Sequence, residues 1–166
     1  TGGIADGLKL AEEFARNEPI LVILGDNIFS FDLTPSIKRF EEMIARDQKG
    51  AMVFGVHREK LAQQYGVIEM DKDNRVISIE EKPENPKSDI AQTGIYMYDN
   101  RAFEFIKQLT PSARGQLEVT DLNNMYLRER SLMCELIDWW VDAGTSHDEL
   151  LEANVKVAEF VKQGKL

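Results

Sequence analysis

Cysteine and histidine are nearly missing from this chain. Its 166 residues include one cysteine, Cys134, and two histidines, His57 and His147. One thiol cannot close a disulfide within the chain, and one cysteine with two histidines cannot build a Cys/His metal cluster. Cys134 sits in the apolar pattern Leu132–Ile137, so a buried, inert thiol is expected. No nucleophile is spaced to pair with either histidine, which leaves both as surface or capping residues. Long apolar runs are also missing. None could span a bilayer and no signal peptide opens the chain, so the expected compartment is the cytoplasm, with no membrane partner. Positive charge is scarce: 20 Lys and Arg face 29 Asp and Glu, for a net charge of −9. That balance argues against nucleic acid or an anionic membrane surface as a partner. A nucleotide is still allowed, because a few local cations and a metal can hold one.

Two phosphate-binding signatures fail as well. Gly2 to Lys9 spells Gly-x-x-x-x-Gly-x-Lys, one residue out of register for a P-loop, and it follows no strand. No Gly-x-Gly-x-x-Gly occurs. There is no initiator Met, and Thr1-Gly2-Gly3 leads almost directly into a helix, so the chain is expected to be a piece of something longer.

What is present reads as a globular domain spanning residues 1–166, with 43% hydrophobic residues to build a core. Helical spacing runs from Ile4 to about Arg16 through Leu8, Ala11 and Ala15. Ile20–Leu24 is an unbroken apolar run, read as a parallel strand buried on both faces. Thr34 and Pro35 predict an N-cap and first turn of a helix that Gly50 would end. Ala51–Val56 predicts a strand; Tyr65–Met70 and Arg75–Glu80 predict a hairpin; Lys82–Lys87, with two prolines, predicts an extended loop. Ile95–Tyr98 predicts a strand, Asn100 and Thr120 predict the caps of two helices, and Leu132–Ile137 predicts another strand. Ser146 with Glu149 three residues on is a capping box for the last helix. Strands alternate with helices around one inserted hairpin, so the class is α/β with a mixed sheet.

The candidate chemistry lies in polar residues at strand ends. Gly25-Asp26-Asn27 closes the first strand, and Asp142 follows Trp139-Trp140-Val141. Ligands collect outside the carboxyl ends of strands in open α/β sheets. Two carboxylates there could share one Mg²⁺, which needs only one or two carboxylates plus substrate phosphates. Glu81 could accept hydrogen bonds from hydroxyls, while Lys82 and Arg114 could meet phosphate. Each residue also has a plain reading: Asp26 or Asn27 as a turn cap, Asp142 likewise, and Glu81-Lys82 as a solvated face.

Taken in order, six segments resemble one family. They are Leu24-Gly25-Asp26-Asn27, Tyr65-Gly66-Val67, Glu80-Glu81-Lys82-Pro83, Thr93-Gly94-Ile95-Tyr96, Ser112 to Asp121, and Trp140-Val141-Asp142-Ala143-Gly144-Thr145. The chain resembles the sugar-1-phosphate nucleotidyltransferases along its whole length, and within them looks closest to those that transfer thymidylate to glucose 1-phosphate. The resemblance implies a Rossmann-like mixed sheet of the glycosyltransferase-A type. It implies a reaction of glucose 1-phosphate with dTTP or UTP that yields a nucleotide sugar and pyrophosphate, with Mg²⁺ as cofactor and several copies per assembly. It assigns Asp26 and Asp142 to the metal, and counts both with Lys82 as catalytic. Tyr65, Gly66 and Glu81 match sugar-binding residues; Thr93 and Gly94 match the pocket wall; Lys82 and Arg114 match the holders of the sugar phosphate; Gly7 matches a glycine facing the base. The family's glycine-rich triphosphate loop and the strand before it have no counterpart in these residues. Inactivity of the chain alone is therefore expected, with the apolar neighbours of that strand left open to pairing. The alternative reading is a non-catalytic module that binds a sugar phosphate or nucleotide.

Overall fold

Buried on both faces and bordered on both sides, the strand Ile90–Tyr98 is the axis of the molecule; all nine of its residues are buried. A computed structural model describes residues 2–58 and 62–165, so Thr1 lies outside the described residues. In chain order the elements are α1 (Ile4–Lys9), α2 (Glu12–Ala15), β1 (Ile20–Ile23), β2 (Asn27–Phe29), α3 (Thr34–Asp47) and β3 (Ala51–His57). They continue with β4 (Gly66–Met70), β5 (Val76–Glu81), β6 (Ile90–Tyr98), α4 (Ala102–Gln108), α5 (Val119–Arg128), β7 (Leu132–Leu136), β8 (Trp140–Asp142) and α6 (His147–Lys162).

The main sheet runs β5-β4-β6-β3-β7, with β1 also on β6. Among the described residues β3 and β7 pair in parallel, and the other pairs are antiparallel. The sheet is therefore mixed, as the alternation of elements predicts. Its two faces follow the period of two along each strand. Val53, Tyr96 and Tyr98 pack toward α1, α4 and α5, against Leu8, Ile106, Leu122 and Tyr126. Met52, Phe54, Ile95 and Met97 pack the other way, toward α3 and Trp140. A second, two-stranded ribbon pairs β2 with β8, setting Asn27 opposite Asp142.

Several expectations need correction. The Ile20–Leu24 run is not a parallel strand buried on both faces. β1 is antiparallel to β6, and Leu21 and Ile23 are 42% and 43% exposed. The reason is its place: among the described residues β1 has a neighbour on one side only, so its run of apolar residues borders an open edge. The first helix breaks into two at Leu10 and Ala11. Thr34 lies inside α3, and its backbone N–H donates to Asp32 instead of Thr34 acting as the cap. Gln48, not Gly50, takes the left-handed position that ends α3. Asp99, not Asn100, satisfies the start of α4 by accepting from the Arg101 and Ala102 N–H groups. Glu118 is the N-cap of α5, and Thr120 lies within the helix with its hydroxyl turned elsewhere. Ser146 does cap α6, accepting from the Glu149 N–H at 3.2 Å.

Candidate active site

Where the β4–β5 hairpin, β6, the β2–β8 ribbon and α1 meet, a cleft of about 640 Å³ opens. The hairpin supplies its polar end. Gly66 pairs with Glu81, and the Lys82 N–H donates to the Tyr65 carbonyl at 3.0 Å, so four of the expected site residues share one strand end. Lys82 takes a left-handed conformation, φ 44°. For a non-glycine residue that costs on the order of 1–3 kcal/mol, and such strain collects where function needs a particular direction.

Glu81 is held at both oxygens. Oε2 accepts from the Thr120 hydroxyl at 2.6 Å, and Oε1 lies 3.4 Å from Arg114 Nη2. Arg114 is gripped along one side by the buried carboxylate of Glu118: Nε to Oε1 is 3.1 Å and Nη2 to Oε2 is 3.0 Å. Ser112 Oγ donates to the same carboxylate at 2.7 Å. That side-on fork sets the guanidinium plane. Nη1 has no partner among the described residues, which leaves donors for an anion. Arg114 is half-exposed, so its ion pairs are worth no more than about 1 kcal/mol each. An incoming phosphate can compete with them.

The two candidate metal carboxylates lie at one corner. The Ala143 N–H donates to the Asp26 carbonyl at 2.8 Å, and Asn27, the residue after Asp26, is in register with Asp142. Asp142 Oδ1 accepts from the Gly144 N–H at 3.0 Å, and a Cβ on Gly144 would come within 2.4 Å of Asp26 Oδ2. A side chain at position 144 would therefore push the Asp26 carboxylate from its present place. Asp142 lines the cleft, and Asp26 is exposed outside the lining. Among the described residues no group of three His, Cys, Asp or Glu could hold a metal by itself. The donor set is two carboxylates, which suits a hard cation that takes its remaining ligands from water and substrate phosphate.

Gly7, Tyr65, Gly66, Glu81, Lys82, Thr93, Gly94 and Arg114 all line the cleft. Gly7 has nothing within 4 Å of a would-be Cβ, leaving its backbone open to a ligand. Thr93 is buried, and its Oγ1 has no partner among the described residues. Tyr65 donates to Glu149 on α6, and burial first, then that bond, pushes its phenol pKa up. It stays a neutral phenol throughout the physiological range.

Among the lining residues that the sequence reading did not name as site residues, Asn27, Glu118 and Gln92 organise the others. Asn27 is buried, and its Oδ1 accepts from the Gly94 N–H and from Trp140 Nε1, while Nδ2 donates to Asp26. A Cβ on Gly94 would meet Asn27 Oδ1 at 2.5 Å, which explains a glycine in mid-strand. Glu118 holds Arg114. Gln92 is an inward-facing polar residue of β6, buried beside Thr93 ahead of the apolar half of the strand. Of the remaining polar candidates, His57 pairs with Asp89 at the surface and His147 opens α6. Cys134 is half-buried, not fully buried as expected, and desolvation pushes its thiol up to about 12.

Residues 1–159 match the nucleotidyl transferase family. This chain belongs to that family. It is 46% identical over 164 residues to a glucose-1-phosphate thymidylyltransferase of Neisseria meningitidis, a match covering 96% of this chain and 54% of the relative. A glucose-1-phosphate thymidylyltransferase of Mycobacterium tuberculosis is 35% identical over 164 residues, covering 96% of this chain and 53% of that protein. The chain thus spans about half the length of the curated relatives it matches. A solved Bacillus anthracis structure in complex with a sucrose superposes with a TM-score of 0.83 at 44% identity, covering 93% of this chain and 60% of that one. UDP-glucose pyrophosphorylase complexed with UDP-glucose superposes with a TM-score of 0.80 at 22% identity, over 95% of this chain and 62% of that one, and shows the shared fold.

Proposed function

We propose that this chain forms the sugar-phosphate and metal side of a sugar-1-phosphate nucleotidyltransferase, acting on glucose 1-phosphate with dTTP or UTP. The observation that carries the reading is the convergence of Glu81, Lys82 and Arg114 with Asp142 in one cleft, on a chain of this family. A phosphate oxygen of the sugar phosphate attacks the α-phosphorus; the bond from that phosphorus to the bridging oxygen breaks, and pyrophosphate leaves with the electron pair. The attacking oxygen is already ionised at neutral pH, so no general base is needed. This accounts for a family site without a serine or histidine constellation. Catalysis becomes positioning and charge neutralisation. Lys82 and Arg114 hold the sugar phosphate, Glu81 and the Tyr65-Gly66 segment orient the hexose, and Asp26 and Asp142 would hold Mg²⁺. When bound, Mg²⁺ neutralises the charge that develops on the phosphates.

Association of several copies and a cytoplasmic location are proposed with it. Among the described residues no helix is long and apolar enough to cross a membrane. NMR titration of the chain with glucose 1-phosphate, with and without Mg²⁺, tests the function. Shifts confined to the cleft are expected, and their absence at about 1 mM, the upper end of ordinary substrate KM values, would refute it.

A further inference from the structure

Gln92 sits on the central strand, 5% exposed, with its side chain on the cleft wall. It is the end of a hydrogen-bond relay that starts in the core. Tyr98, fully buried, donates its hydroxyl to Asn123 Oδ1 at 2.6 Å. Asn123, also fully buried, donates from Nδ2 to Gln92 Oε1 at 3.0 Å. The order of donors is set by the first member. With the Asn123 amide reversed, the Tyr98 hydroxyl hydrogen would face another donor and lose the acceptor it has in the structure. A buried donor left unmatched is costly, so Asn123 has one orientation and imposes one on Gln92.

The consequence is a polarity chosen far from the ligand. Gln92 Oε1 is committed to Asn123, so its Nε2 points the other way. That nitrogen lies on the side of Gly66, where a Cβ would come within 3.4 Å of it. Gly66 is itself a cleft residue. Nε2 carries two N–H groups, and the Tyr96 hydroxyl close to this side chain could accept only one of them. One donor therefore remains on a wall whose nearby acidic residue, Glu81, supplies acceptors only.

We propose that Gln92 is a specificity-determining residue whose amide N–H donates to a hydroxyl oxygen of the bound hexose. This rests on the sugar-phosphate reading above. Glu81 accepts from hydroxyls and Gln92 donates to one, so the wall reads the sugar with both signs. A site that donates to a particular oxygen rejects the analogue that lacks it, because the donor is then buried unpaired.

The test measures binding of glucose 1-phosphate and its 2-, 3-, 4- and 6-deoxy analogues by NMR titration, for the unaltered chain and for Gln92→Leu and Gln92→Glu. Gln92→Glu keeps an oxygen for Asn123 and replaces only the cleft-side donor, so it preserves the core relay if Gln92→Leu loosens it. Both variants are expected to bind glucose 1-phosphate roughly tenfold or more weakly, about the worth of one buried hydrogen bond. One deoxy analogue, penalised by a similar factor in the unaltered chain, is expected to lose that penalty in Gln92→Leu. Unchanged binding in both variants, or deoxy penalties that persist at every position, overturns the role of Gln92 and leaves the proposed function standing. Failure of the unaltered chain to bind any of these sugar phosphates overturns both.

Discussion

Removing the Asn27 side chain is the sharpest test of how this site is held. Asn27 is 7% exposed and serves three elements at once: it accepts from Gly94 on β6 at 2.7 Å and from Trp140 on β8, and it donates to Asp26 at 2.9 Å. In Asn27→Ala both the Gly94 N–H and Trp140 Nε1–H lose their acceptor inside the protein. Each unsatisfied buried donor costs about 1–3 kcal/mol, so the pair costs about 2–6 kcal/mol. That is a large part of the roughly 5–15 kcal/mol by which a domain is stable. For a chain of this length each kcal/mol lowers Tm by about 2–4 °C, so a fall of at least about 4 °C is expected in a thermal melt. A double-mutant cycle identifies the cause. Trp140→Phe removes one of the two donors, so Asn27→Ala in that background should cost about 1–3 kcal/mol less than it does alone. Additivity of the two substitutions within about 0.5 kcal/mol would refute the reasoning, as would a cost of Asn27→Ala below about 0.5 kcal/mol.

Arg114→Lys is expected to weaken glucose 1-phosphate binding about tenfold, because an ammonium cannot keep a fork on Glu118 and still present donors; equal affinity by titration would show that only the charge counts. Asp142→Asn, placed in a full-length relative-sized protein, is expected to cut kcat far more than sugar-phosphate affinity, since metal charge matters most in the transition state; equal losses would make Asp142 a pocket wall only. These 166 residues incubated with Mg²⁺, glucose 1-phosphate and dTTP or UTP are expected to release pyrophosphate well below the ordinary range of roughly 1–10³ per second; turnover within that range would show that the chain completes its own triphosphate site. Stability is expected to fall as pH rises above about 10. Buried Tyr65, Tyr96, Tyr98 and Tyr126 keep their protons in the folded state, while the unfolded chain releases them above the ordinary value of 10.0. Their contribution is fully present below that pH and is lost as pH climbs toward the folded values. A flat denaturation midpoint between pH 9 and about 11 would contradict this.

Much of the cleft lining could be read from the chain because many of its residues flank apolar segments. Glu81-Lys82 and Asp142 close apolar segments, Tyr65-Gly66 and Thr93-Gly94 lead into them, and the hairpin brings Glu81-Lys82 and Tyr65-Gly66 together by its own register. Periodicity likewise marked most elements, since apolar spacing reflects which side chains must leave water. Other features depended on partners distant in sequence. The strand Ile90–Tyr98 is longer than its apolar half, because Ala91, Gln92, Thr93 and Gly94 become strand only by pairing with β3 and packing under Asn27. β1 reads as a doubly buried strand but borders an open edge, since five apolar residues in a row state how much surface seeks cover and not whether a neighbour is there to provide it. The grip of Glu118 on Arg114 and the relay from Tyr98 through Asn123 to Gln92 were likewise decided by the tertiary structure. A hydrogen bond's direction depends on which partner faces it, and in the relay those partners come from β6 and α5, which only the folded chain brings together.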